Sequence, residues 1–169
     1  ALKKISENKT VEASQASIPI GSPQEAYVKA QQLVGEEKFD QAVSMLEQLV
    51  SQHATFALAH NDLGVLKYRN GDLQGALNSY ENAVKLEPAN AAFKKNLADL
   101  FFVELGRTDE AIGIYLELLR QNPRNVETLE NLGHISKVIG RPDEAKTFYR
   151  RALEIEPWNA GVREALRSE

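Results

Sequence analysis

The side chains of this sequence that could do metal or proton chemistry are three histidines, His53, His60 and His134, and twenty-four Asp and Glu. Glu130 precedes His134 by four residues, which on a helix places the two on one face, and Asp62 lies close to His60. A zinc site needs three or four converging ligands, and neither pair has a third at metal-ligating spacing, so a solvated Glu130–His134 contact is the expectation. Cysteine is absent, which removes disulfides, thiolate metal sites and cysteine nucleophiles. Glu110 and Glu144 stand in equivalent places before Ala111 and Ala145, so they belong to a repeat and carry no acid–base warrant. No phosphate-cradling glycine loop, nucleophile elbow or dinucleotide fingerprint occurs. Catalytic residues, metal and cofactor are therefore all expected to be none, and the chain is read as a non-enzyme.

The elements that carry these residues follow from composition and period. Twenty Lys and Arg against twenty-four Asp and Glu give a net charge of −4 over 169 residues, which argues against a nucleic-acid partner. No stretch approaches the roughly 20 apolar residues of a membrane span, and the opening ALKKISENKT lacks the apolar core of a signal peptide. The missing initiator Met is compatible with a removed signal or neighbouring domain; the compartment stays open, with the cytoplasm favoured.

Self-comparison gives one period. Ala42, Ala76, Ala111 and Ala145 are spaced by 34, 35 and 34 residues; Pro88, Pro123 and Pro157 by 35 and 34; Gly64, Ala98 and Gly133 by 34 and 35. Between the markers, apolar residues recur at near-helical spacing: Leu63, Val65 or Leu66, and Tyr68, then a break at Asn70-Gly71, then Leu73, Ala76, Leu77, Tyr80, Ala83, Val84 and Leu86. This predicts helix, short turn, helix, with Pro88 stopping the second helix. Gly64 and Ala76 are expected where two helices cross closely, with Tyr80 filling the space beside them.

On these residues the sequence resembles the tetratricopeptide repeat family. Leu63, Gly64, Gly71, Ala76, Tyr80, Ala83 and Pro88 stand at the signature places of the second unit, and Leu132, Gly133, Gly140, Ala145, Tyr149, Ala152 and Pro157 repeat them in the fourth. The resemblance implies an all-α, right-handed superhelical solenoid of antiparallel helix pairs. The units run at about 23–56, 57–90, 91–125 and 126–159, with a capping helix at 158–167, so that 23–169 form the repeat domain and 1–22 a polar, flexible tail or linker. The third unit has one residue added in or just after its first helix, which predicts a local kink and exposes Phe101, Phe102 and Leu105. In the first, Glu37 replaces the turn glycine and no proline follows at Ala54. Trp158 is expected to pack at the last junction, and the tail segment SIPIG to be able to enter the groove.

The same resemblance places the first helix of each pair on a concave surface that holds a protein or peptide. The candidate groove residues are Tyr27 and Gln31 in the first unit, with Val34 beside them. The second gives Leu58, Asn61, Val65, Tyr68 and Arg69. The third gives Lys95, Asp99 and Phe102, with Ala92 and Val103. The fourth gives Glu130, His134 and Lys137, with Glu127 and Val138. The family's carboxylate clamp is disfavoured, because Tyr27 and Gln31 stand where Lys and Asn are needed and Asp62 would repel the ligand. The expected function is a non-catalytic protein- or peptide-binding scaffold without direct membrane insertion, of bacterial or archaeal look. The alternatives are a homo-oligomerisation module motivated by the exposed phenylalanines, and the recruitment segment of a larger enzyme such as a glycosyltransferase or methyltransferase.

Overall fold

The computed structural model describes residues 21–167, and every regular element in them is helical. Four antiparallel pairs follow one another: α1 (Pro23–Gly35) with α2 (Phe39–Gln52), α3 (Ala57–Arg69) with α4 (Leu73–Leu86), α5 (Ala91–Val103) with α6 (Thr108–Gln121), and α7 (Val126–Val138) with α8 (Pro142–Ile155). A shorter α9 (Ala160–Arg167) lies against α8. The expectations for the tail, including a docked SIPIG segment, fall on residues outside those described.

The small residues set how closely each pair packs. Ala42, Ala76, Ala111 and Ala145 have no exposed surface. A Cβ added to Gly64 would stand 2.6 Å from Tyr80 Cδ1, and one added to Gly133 2.5 Å from Tyr149 Cε1. Each tyrosine ring therefore fills the space that a side chain at the glycine would need, and the buried Leu63 and Leu132 complete the layer. In the third pair Ala98 replaces glycine, and Tyr115, only 1 % exposed, turns its hydroxyl onto Asp99 of α5.

Turns between paired helices depend on one left-handed residue. Gly71, Gly106 and Gly140 have φ of 79°, 63° and 76°, while Glu37 takes the same conformation at φ 59° without the glycine that favours it. The extra residue of the third unit enters this turn: α5 keeps the 13 residues of α1, α3 and α7, and the Arg107 amide reaches back to the Phe101 carbonyl at 2.8 Å. That corrects the exposure expected for Phe101, which is 5 % exposed beneath the Arg107 guanidinium, 4.1 Å from the ring centre. Phe102 and Leu105 are partly buried, so they offer less apolar surface at this turn than expected.

Between pairs, proline and asparagine cooperate. Pro88, Pro123 and Pro157 each stand two residues before an asparagine, and Asn90, Asn125 and Asn159 accept the first free amides of α5, α7 and α9 through their side chains. The first junction has neither residue. There His60 is buried and bonds the Ala54 carbonyl at 2.9 Å through Nε2, holding the turn from inside. Lys94, at the equivalent place in α5, is also buried and donates to Glu117 of α6 at 2.6 Å. Ser22 caps α1 in a reciprocal box with Glu25.

α9 closes the array by burying Val162, with Ala165 and Leu166 partly covered. Trp158 departs from expectation: it is 71 % exposed, because it occupies the same turn position as Ala89 and Arg124, which also face solvent.

Candidate functional site

The first helices α1, α3, α5 and α7 share one face, and their side chains are bonded from unit to unit. Tyr27 donates its hydroxyl to Asp62 at 2.7 Å and accepts from Gln31 at 3.0 Å. Asn61 gives its amide to Asp62 at 3.2 Å and accepts from Asn96 at 2.9 Å. Tyr68 reaches Glu104 at 2.8 Å. Lys95 lies 3.0 Å from Asp99 and 3.3 Å from Glu127. Phe102 meets the His134 ring edge-on at 6.1 Å, and Asn159 donates to Glu130 at 2.5 Å. Glu130 is thus held by the capping asparagine of α9, in place of the contact expected with His134.

The candidate residues therefore separate by what they touch. Asn61, at 9 % exposure, is spent on its neighbours, and Tyr27 is half-buried against Phe56. Arg69 leaves the face: its guanidinium sits 3.8 Å above the Phe39 ring at the start of α2, a cation–π contact at the turn edge that corrects its place in the groove. Lys137 lies in the last turn of α7. Leu58, Val65, Tyr68, Val103 and Val138 remain exposed on the first helices, at 44, 42, 40, 63 and 60 %.

Three of these surround a hollow of about 380 Å3 between α3 and α5, lined by Val65, Tyr68, Tyr80, Asn96, Asp99, Leu100 and Val103. Burial pushes the Tyr80 hydroxyl up to about 12, with Tyr68, Asp99 and Asp62 adding to it. The Tyr68 hydroxyl is raised by its bond to Glu104. Burial and the bond to Asp99 raise Tyr115. These phenols stay protonated, and so Tyr68 and Tyr115 act as donors to fixed carboxylates. Asn96 and Glu104 were not singled out from the sequence; Asn96 lies 34 residues after Asp62, the repeat spacing between α3 and α5, which was the available signal.

Among the described residues no group of three His, Asp or Glu could hold a metal ion, and no helix is long and apolar enough to cross a membrane.

Comparison with known proteins agrees with this architecture. Tetratricopeptide repeat family models match residues 27–77, 61–126 and 126–157. The chain is 33 % identical over 111 residues to photosystem I assembly protein Ycf3 of a Prochlorococcus marinus strain, a match covering 59 % of this chain and 62 % of that protein. It thus spans about three fifths of the curated relatives it resembles. A tetratricopeptide repeat protein from Parabacteroides merdae superposes with a TM-score of 0.79 and 25 % identity over 85 % of this chain and 57 % of that one. The structure of YrrB, described as having an unusual peptide-binding site, superposes with a TM-score of 0.73 and 16 % identity, covering 86 % and 74 %. The scaffold supports a protein-interaction role. With the helix pairs, the tyrosine-on-glycine crossings and the matched segments in agreement, the chain belongs to the tetratricopeptide repeat family.

Proposed function

We propose that this chain holds a peptide segment of a protein partner along the face made by α1, α3, α5 and α7, anchored at the hollow between α3 and α5. The observation that carries this reading is the contrast within the face. Its polar groups are bonded to one another, whereas Val65, Tyr68 and Val103 stand 40–63 % exposed around one concavity. Rigid apolar groups beside satisfied polar ones bury surface on binding with little loss of side-chain freedom. The likeness to an assembly protein and to the fold of a peptide-binding repeat protein supports it.

The test is a display selection of random peptides on the whole chain, counter-screened on Val65→Arg/Val103→Arg. Both positions are exposed, so the helical spectrum and melting temperature should persist while the hollow is filled. Peptides that bind the natural chain and not the variant support the reading. Peptides retained equally by both place the binding surface elsewhere and refute it.

A further inference from the structure

We infer that the hollow between α3 and α5 takes a cationic side chain, Arg or Lys, flanked by aliphatic residues of the partner peptide; this rests on the first-helix face being the peptide-holding surface.

The charge around the hollow has one sign left over. Asp62 and Glu104 are held by neutral donors, Tyr27 and Asn61 for the first and Tyr68 for the second. Asp99 and Glu127 share a single cation, Lys95. Of the nearby cations, Lys67 is paired with Glu47 and Arg107 with Glu110, while Arg69 keeps its charge over the neutral Phe39 ring, which leaves Lys95 and Arg69 against Asp62, Asp99, Glu104 and Glu127. Neutral hydrogen bonds fix a carboxylate in place without cancelling its charge, so among the described residues this region carries an excess of negative charge.

The backbone adds to the same sign. The hollow is bounded by the last turns of α3 and α5, through Tyr68 on one and Val103 on the other. The two helices run the same way, and each carries roughly half a negative charge at its C-terminal end. An aliphatic stem suits the lining, where Val65, Leu100 and Val103 are the aliphatic groups. A guanidinium or ammonium on that stem would then meet Asp99 in the lining and Glu104, which is bonded to Tyr68 of the lining. An acidic or purely apolar anchor meets the same lining and leaves that charge unanswered.

The experiment takes the tightest peptide from the selection above and replaces its basic residue by citrulline or norleucine, which keep length and remove charge. Dissociation constants are measured by fluorescence anisotropy at low and high salt. The charge-free peptide should bind about tenfold more weakly at low salt. Glu104→Gln, a change at an exposed site, should weaken the parent about threefold to fivefold and leave the charge-free peptide unaffected. Equal binding of the two peptides, or a selected set without Lys or Arg, overturns the cationic anchor while the groove reading stands. A selection that yields nothing sensitive to Val65→Arg/Val103→Arg overturns both.

Discussion

Gly64→Ala and Gly133→Ala should destabilise the protein even though alanine is the better helix former. The new methyl carbon at residue 64 would lie 2.6 Å from Cδ1 and 2.7 Å from Cε1 of Tyr80. Carbon atoms rest at about 3.5–4.0 Å, so the ring would have to withdraw by about 1 Å. Tyr80 is 4 % exposed and bounded by the core, so withdrawal pushes other side chains. Overpacking of this kind costs about 1–3 kcal/mol, and the helix propensity of alanine returns about 1 kcal/mol. A net loss of about 1–2 kcal/mol remains at the upper part of that range, or about 2–8 °C in melting temperature for a chain of this size. Ala98→Gly should also destabilise, by about 1–2 kcal/mol, since it opens a void beside Tyr115 and loosens α5. Urea titration followed by circular dichroism at about 222 nm gives the values, and an unchanged m-value shows that the units still unfold together. Gly64→Ala paired with Tyr80→Leu isolates the contact: with the ring gone, the alanine should become favourable. A stabilising Gly64→Ala in the natural background, or one that stays neutral while Gly64→Ala in the Tyr80→Leu background is no more favourable, would refute the claim that the ring's seat against the glycine sets the spacing of the pair.

Glu37→Gly should raise stability by about 0.5–1 kcal/mol, the relief of a left-handed residue at φ 59° less the greater freedom glycine has when unfolded; a lower melting temperature would contradict it. Glu117→Gln should cost about 1–3 kcal/mol by leaving the buried Lys94 ammonium without its carboxylate, and Lys94→Met should recover most of that loss in a chemical melt. Alkali should unfold the protein within a predictable window. Tyr27, Tyr80 and Tyr115 are raised above the ordinary value of about 10, chiefly by burial. The folded state therefore binds more protons, and their contribution is whole below pH ~10 and is lost as pH climbs through the folded values, about 12 for Tyr80. Absorbance at about 295 nm should show phenolate appearing later than in urea-unfolded chain, and superimposed curves would refute the burial argument.

What could be read from the sequence was what repeats. Gly64 with Tyr80 and Gly133 with Tyr149 recur because each pair must solve the same close crossing, so period alone located them. The turn glycines and the Glu37 exception were legible for the same reason. The capping box of Ser22 and Glu25 was also written in the chain, but its residues straddle the boundary assigned to the tail. Trp158 was misplaced because its size outweighed its register: Ala89 and Arg124 occupy the same turn position and say nothing about burial by their own types. Phe101 was misplaced because the added residue was allowed into the helix or the turn, and only its entry into the turn leaves Phe101 facing inward. Arg69 sits at the last position of α3, where a long side chain can turn to either side, and the Phe39 ring that draws it is 30 residues away.

The site was harder to read because its bonds join units instead of repeating within them. One buried place, the fourth residue of the first helix, is filled by His60, Lys94 and Leu129 in successive units, and each satisfies it differently: a turn carbonyl, a carboxylate on α6, and apolar packing. Helix-pair geometry tolerates all three, so no spacing rule selects among them. The same freedom governs the exposed face. Once Tyr27, Asn61, Asp62 and Asn96 have bonded one another, they fix the register of α1, α3 and α5 and have little left to offer a partner. On the proposed reading, discrimination then falls to the side chains that this register leaves over, Val65, Tyr68 and Val103, and to the charge behind them. Stability and recognition are consequently separable at this face, and substitution at Val65 or Val103 should alter what is bound without altering how the chain folds.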